Sequence, residues 1–338
     1  MKDDLGKYIE IINNIPGVSV AVIGDMVADI YVYGRPFKLS REAPVIVVKY
    51  EGETIVPGSA GNTVNNLSKL GAKVFPVGIV GDDREGGFLK NHFSEDGVDT
   101  AGLFVSKERG TISKTRLLAG DTHASKRQVV RIDKEVSWNM PDSMEKKILD
   151  YIDEVNKKVD VWIVSDYGYD IVTLGVLDRM KRIAGEKTVV ADSRRRICDF
   201  AGVTIIAPNE SETEAATGIT ISGEDDVIKA GKKLLKKMGS EAVIITRGNY
   251  GMVLFEKTGN VEKIPISGPN EVTDVTGAGD TVTVMLAVAR AAGASYAQAA
   301  RLSNYAAGVV VMKNGTATVS RSELVDVITR DLRGEGNG

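Results

Sequence analysis

Short apolar runs recur along the chain and alternate with stretches of helical period, the signature of strands and helices in succession. The run SVAVIGD (19–25) predicts a buried first strand. Residues 30–51, with Tyr, Val and Ile in alternation, predict two strands around a turn. Residues 58–72 predict a glycine loop feeding a helix closed by Gly71; KVFPVGIVG then predicts a strand and DREGGFLKNHFSEDG a helix. A second β-rich patch covers residues 110–133. Beyond it the rhythm is regular: helix 143–158, strand VDVWIVSDY, helix 173–184, strands KTVVADS and VTIIAPN, a basic helix 225–238, strand EAVIITRG, then hairpin strands GMVLFE and VEKIPI. An extended segment ending at Val275 feeds an alanine-rich helix from near Ala278 to about Ala292, and two long helices flank VVVMKNG. The tail RGEGNG (333–338) is expected to be disordered.

Strands alternating with helices define an α/β class with a mainly parallel sheet covered on both faces. The β-rich patches 30–51 and 110–133 break that rhythm and are expected to pair with each other as a small separate sheet on the core. No internal repeat or low-complexity segment interrupts the chain, so residues 1–338 are read as one domain.

Composition narrows the function. At 338 residues, 43% hydrophobic and 26% charged, the chain has ample core, and a net charge of −3 argues against nucleic acid as its main partner. Cys198 is its one cysteine, so no internal disulfide forms and a reducing compartment is expected. The acidic, amphipathic start MKDDLGKYIEIINN lacks a signal-peptide layout, and the longest apolar run contains Arg290, so a cytoplasmic protein off the membrane is expected. The lysines of KAGKKLLKKMG read as a solvated helix face.

Ligands of open α/β sheets bind beyond the carboxyl ends of the strands. Polar groups recur there: Asp25 and Asp29, residues 58–62, Asp166, Asp192, Asn209 and Glu212, Arg247 and Gly248, and Asp280. In DVTGAGD (274–280) two glycines let the backbone approach a ligand, and the amides of Gly277, Ala278, Gly279 and Asp280 would stand free at a helix start, an anion site. Asp280 is then either a helix cap or a base beside that site. No G-x-x-x-x-G-K-[ST] and no G-x-G-x-x-G after the first strand is present, and the two histidines, His92 and His123, sit in unrelated settings. An anion cradle, a carboxylate base and a carboxylate/amide pair able to hold Mg²⁺ through water remain, which are the parts of phosphoryl transfer to an alcohol.

DVTGAGD, PGSAGN (57–62), APNESE (207–212) and TRGNYG (246–251) together resemble the PfkB/ribokinase family of sugar kinases, along essentially the whole chain. The resemblance implies a ribokinase-like three-layer α/β/α core with a β lid formed by residues 30–51 and 110–133, through which many members dimerise. It implies Asp280 as catalytic base with Gly277, Ala278 and Gly279 as anion hole. Asn209 and Glu212 would act through Mg²⁺ and its waters, and Asp25, Asp29, Gly58 and Asn62 would line the sugar site. Thr246, Gly248, Gly251, Asn209 and Asn304 would meet ATP. A K⁺ beside the anion hole would be held by the loop of Asp274 and Thr276. Ser59 stands where the family has its second loop glycine.

GDMVADIYVYG, SREAPVIVVK, TISKTR, VVRID and AAGVVVMKNGTATVS resemble the heptose 7-phosphate kinases within that family. A stand-alone kinase is expected, since no H-x-G-H of an attached nucleotidyltransferase is present. A phosphorylated acceptor needs cations away from the reacting hydroxyl; Lys114 and Arg116, alternating on a lid strand, and the triplet Arg194, Arg195 and Arg196 are the candidates. Another sugar acceptor such as fructose 1-phosphate or ribose, or a non-catalytic sugar-phosphate sensor, remains the alternative.

Overall fold

Unbroken apolar runs suit strands covered on both faces, and β1 (Ser19–Gly24) is such a strand, buried from Val20 onward. The computed structural model describes residues 2–120, 126–135, 138–267, 273–313 and 315–333, with side chains from residue 5. In chain order the other strands are β2 (Met26–Leu39), β3 (Ile46–Ser59), β4 (Lys73–Gly81), β5 (Leu103–Ser106), β6 (Ile112–Ala119), β7 (Arg127–Lys134), β8 (Val161–Asp166), β9 (Thr188–Ser193), β10 (Ile205–Ile206), β11 (Ala242–Thr246), β12 (Met252–Glu256) and β13 (Val261–Ile264). The helices are α1 (Lys2–Asn14), α2 (Ala60–Lys69), α3 (Arg84–Glu95), α4 (Asp142–Val155), α5 (Leu174–Ala184), α6 (Glu210–Thr217), α7 (Glu224–Met238), α8 (Ala278–Ala291), α9 (Tyr296–Val310) and α10 (Arg321–Arg333).

Nine strands form the main sheet in the order β13-β12-β11-β10-β9-β8-β1-β4-β5. Pairings from β11 to β5 are parallel; β12 and β13 close one edge antiparallel. Successive residues point to opposite faces. Val20 and Val22 join one core with α2, α8, α9 and α10, whereas Ala21 and Ile23 join a second with α4, α5 and α7. The result is three layers. The chain runs outward from β1 to β4 and β5, then returns to β8 on the other side of β1. That reversal opens a crevice at the carboxyl ends of β1 and β8, where ligands of such sheets sit.

The two β-rich patches do pair with each other, as a four-stranded sheet ordered β3-β2-β6-β7. It is mixed: β2 pairs β3 antiparallel and β6 parallel. Its strands reach further into the core than expected, from Met26 on β2 and to Ser59 on β3, so Asp29 lies within a strand and not in a loop after β1. Residues 121–125 of the second patch lie outside the described residues, as does the tail from 334 onward.

The segment before α8 is not extended into a sheet. The amides of Thr273 and Asp274 both donate to Val311 O, at 2.8 and 3.1 Å, and hold it as a loop. The basic helix α7 carries Glu224, Asp225 and Asp226 in its first turn and Lys236 and Lys237 in its last, matching the helix dipole. Its lysines are not all merely solvated, because Lys233 and Lys237 donate to the carbonyls of Thr217 and Ala216 at the end of α6. Among the described residues no helix is long and apolar enough to cross a membrane.

Candidate active site

Gly277 caps the start of α8 at φ +83°, a conformation that favours glycine, and a Cβ there would lie 2.7 Å from Asn62 Nδ2. The Ala278 amide turns back to Val275 O at 3.2 Å, so Ala278 does not present a free donor as the sequence suggested. Among the described residues the amides of Gly277, Gly279 and Asp280 have no acceptor, which leaves three donors at the positive end of α8.

Asp280 is buried inside the first turn. Its Oδ2 accepts from Asn62 Nδ2 at 2.8 Å, and its Oδ1 accepts from the Tyr167 hydroxyl. Asn62 is steadied by Asn66, whose Nδ2 donates to Asn62 O at 3.0 Å. Neither bond makes Asp280 a helix cap, since its oxygens face side chains of α2 and of the turn after β8. Burial pushes the Asp280 carboxyl above the usual carboxylate range, and the bonds from Asn62 and Tyr167 pull against that rise. Burial and the Asp280 charge hold the Tyr167 phenol well above its ordinary value, so it remains a donor.

The small sheet supplies the opposite wall. Asp29 on β2 is buried and accepts from Arg116 Nη1 at 2.6 Å, while Arg116 lies over the Tyr31 ring. Gly58, the register partner of Val27, leaves room for this carboxylate: a Cβ there would stand 2.4 Å from Asp29 Oδ2. Lys114, the partner of Asp29 across β2 and β6, lies over the rings of Tyr167 and Tyr169. Burial, then the Arg194 charge, lowers the Lys114 pKa. Arg194 stacks 4.4 Å from the Tyr167 ring centroid. Lys114 and Arg116 thus face Asp29, while Arg194 faces Tyr167, Asp280 and Asp192.

The arginine triplet divides. Arg196 forms a two-pronged pair with Asp166, at 2.9 and 3.0 Å, and donates to Val172 O, so it braces the strand ends. Asp166 is therefore committed to structure. Asp25 Oδ2 accepts from the amides of Tyr167 and Tyr169, at 2.8 and 3.3 Å, and shapes the turn after β8, while its Oδ1 is buried with no partner among the described residues. Burial raises its carboxyl to about 6. Asp192 keeps a small accessible face yet is pushed to about 8, by burial first and then by Asp280 and Glu212.

On the other side of the α8 start lies a cleft of about 180 Å³ bounded by Thr246, Gly248, Gly251, Gly279 and Asn304, among others. The five residues that the sequence assigned to a nucleotide include four of these; the fifth, Asn209, bridges to Thr246 at its edge. Asn209 and Glu212 form a capping box on α6, with Asn209 Oδ1 accepting from the Glu212 amide at 2.8 Å and Glu212 Oε2 from the Asn209 amide at 2.9 Å. Burial raises the Glu212 carboxyl. No cluster of three or more His, Cys, Asp or Glu ligands occurs among the described residues. Asp274 ties the amides of Thr276 and Gly315 to its two oxygens, each at 2.9 Å. Tyr167 was missed as a site residue; it reaches Asp280 across 113 positions, and only its place at a strand end could have marked it.

A buried carboxylate at a helix start, with the small sheet on one side and a glycine-lined cleft on the other, has the layout that phosphoryl transfer to an alcohol requires. The family profile agrees, with the pfkB family carbohydrate kinases matching residues 18–323, and the chain belongs to that family. It is 40% identical over 311 residues to the bifunctional protein HldE of Geobacter sulfurreducens, covering 91% of this chain and 62% of that protein. It is 35% identical to HldE of Paramagnetospirillum magneticum, covering 97% of this chain and 67% of that one. The chain thus spans less than two thirds of the first of these relatives. In fold it is similar to Arabidopsis thaliana ribokinase complexed with ribose and ATP (TM-score 0.73, 21% identity, 92% and 98% of the two chains). It is also similar to phosphofructokinase-2 of Escherichia coli in complex with potassium (TM-score 0.71, 15% identity, 92% and 98%).

Proposed function

We propose that this chain transfers the γ-phosphoryl group of ATP to the anomeric hydroxyl of D-glycero-D-manno-heptose 7-phosphate, giving the 1,7-bisphosphate used for lipopolysaccharide core heptose. The likeness to HldE, whose kinase part is the heptose 7-phosphate kinase, carries the choice of sugar. Lys114 and Arg116, beside Asp29 on the small sheet, support an acceptor that already bears a phosphate. Asp280 takes the proton of the acceptor hydroxyl as that oxygen bonds the γ-phosphorus. The bond from phosphorus to the bridging oxygen breaks, and ADP leaves with the electron pair. The free amides of Gly277, Gly279 and Asp280 meet the charge on the transferring group. Asp29, Gly58 and Asn62 shape the sugar site, and Thr246, Gly248, Gly251 and Asn304 line that of ATP.

The donor set near the phosphates is oxygen only, which fits a hard divalent cation. Glu212 and Asn209 would hold Mg²⁺ through water, and bound Mg²⁺ neutralises phosphate charge. Asp274 and Thr276 are the residues we assign to K⁺, so replacing K⁺ by tetramethylammonium is expected to lower turnover. The four-stranded sheet acts as a lid. Exposed Phe37, Leu39, Ile46, Val129 and Ile132 on β2, β3 and β7 support dimerisation through it. Leu39→Lys with Ile132→Lys is expected to halve the mass in sedimentation velocity.

The deciding experiment is ATP consumption with Mg²⁺ and K⁺ on D-glycero-D-manno-heptose 7-phosphate, sedoheptulose 7-phosphate, fructose 6-phosphate, fructose 1-phosphate and ribose. Preference for the manno-heptose phosphate, with phosphorus NMR reporting a 1,7-bisphosphate, is expected. Turnover only on another sugar would remove the heptose assignment and leave the kinase.

A further inference from the structure

The proton-transfer reading gives Tyr167 no role, yet contacts from several sides fix it, Lys114 over its ring among them. Its ring is buried, and its amide is held by Asp25 Oδ2 at 2.8 Å. The Arg194 guanidinium stacks 4.4 Å from its centroid. Its hydroxyl donates to Asp280 Oδ1. A buried tyrosine hydroxyl needs a partner, and that need alone would be met by any nearby acceptor. What distinguishes this one is the matching donor on the other oxygen, Asn62 Nδ2 on Oδ2 at 2.8 Å. A carboxylate has about four lone-pair sites on its two oxygens. With one donor on each oxygen, rotation of the group would break both bonds, and each oxygen keeps a lone pair for an incoming hydroxyl.

We propose that Tyr167 is a positioning residue for Asp280: with Asn62 it clamps the carboxylate plane in the orientation that receives the acceptor's proton, and Arg194 stacked on its ring holds the clamp. This rests on Asp280 being the base. The clamp also governs when the base is available. The groups facing Asp280 are Asn62 from α2, Asp29 from β2, Tyr167 after β8, and Asp192 and Arg194 at the end of β9. Against burial and the Asp29 charge, the donors that favour the ionised carboxylate are Asn62 and Tyr167, aided by the Arg194 charge. Loss of the phenol hydroxyl therefore leaves Asp280 protonated to higher pH.

The test is Tyr167→Phe, which keeps the ring, its packing and the arginine stack. With ATP and D-glycero-D-manno-heptose 7-phosphate, kcat at neutral pH is expected to fall about 10- to 100-fold, with KM for ATP within about twofold. The acid limb of kcat/KM moves to higher pH, so the loss shrinks as pH rises. A uniform loss at every pH, with the acid limb in place, would mark a merely structural tyrosine and overturn the proposal. A second readout needs no acceptor: the Asp280 ¹³Cγ resonance, assigned by its disappearance in Asp280→Asn, is titrated in the wild type and in Tyr167→Phe. Its midpoint rises in the variant, and an unchanged midpoint overturns the proposal. If Asp280→Asn keeps wild-type turnover, the base assignment itself has failed. If that variant is inactive while Tyr167→Phe matches the wild type in rate and profile, only the clamp has failed. Should Tyr167→Phe not fold, Arg194→Gln is measured in the same two ways, with smaller shifts in the same direction expected and unmoved ones overturning the proposal.

Discussion

Asn62 and Asp280, 218 positions apart in the chain, meet in a buried hydrogen bond of 2.8 Å. The bond joins the first helix turn after the small sheet to the first turn of α8. The small sheet, which runs directly into α2, and the start of α8 are thereby held in register.

On the proposed role of Asp280, Asp280→Asn removes the proton acceptor while nearly preserving shape. Turnover is expected to fall by about 10³-fold or more, since general-base assistance contributes roughly 10²–10⁴. Isothermal titration should find ATP binding within a few-fold of the wild type. Equal loss of folding, read by circular dichroism, would return Asp280 to the role of a helix residue.

Arg116→Ala strips the partner from a buried Asp29. Leaving one member of such a pair unpaired costs about 3–5 kcal/mol of stability unless the carboxyl protonates. The acceptor KM is expected to rise more than about tenfold, because a charged hydrogen bond is worth roughly 1.5–3 kcal/mol. The ATP KM should hold. A rise in both constants together would place Arg116 outside the acceptor wall.

Ser59 occupies φ +53° and ψ −128°, a conformation suited to glycine, at the junction of β3 and α2. Ser59→Gly is expected to stabilise the protein by up to about 1 kcal/mol, as released strain exceeds the added freedom of the unfolded chain. Calorimetry checks it; an unchanged or lower Tm would show that the strain is offset locally.

Asp25 titrates at about 6 in the folded chain against an ordinary 3.8, with burial as the main cause. A raised carboxyl stabilises the fold fully below the unfolded value and loses that contribution as pH climbs through the folded one. Asp25→Asn should therefore gain stability over the wild type between pH 4 and 8, by at most about 3 kcal/mol, with the gap closing in acid. Chemical denaturation at several pH values measures it. A gap that widens in acid would refute the assignment.

The three-layer order was legible because its strands are unbroken apolar runs and its helices are amphipathic. Elements without those cues were not. Strand β5 has only four residues, and α6 reads ESETEAAT, with no apolar stripe and a start marked only by its capping box. The loop before α8 looked extended, but its backbone is tied to Val311. Strand ends and glycine turns in the sequence pointed to Asp280, Asn62 and Asp29, which the fold brings near one another, and alternation along β6 pointed to Lys114 and Arg116. The use of one Asp25 oxygen to brace a turn and the commitment of Arg196 to Asp166 were not legible, since a lone charge in sequence does not reveal which partners it meets in the fold. Tyr167 was hidden for the complementary reason: its partner is set by the crossing of β8 and α8, not by anything nearby in the chain.

Strand β1 gives way to β2 across Asp25 alone, and β3 passes into α2 with no residue between. The small sheet is therefore mounted like a leaf spring rather than a door on a hinge. Bending it must twist the two strands where they enter the core, and the inner end of one of them is the helix that carries Asn62. Any displacement of the sheet would therefore be felt in the helix turn that carries Asn62, the partner of Asp280. Inserting a pair of glycines between Ser59 and Ala60 would slacken that spring, leaving sugar contacts in place while disconnecting them from the reacting carboxylate.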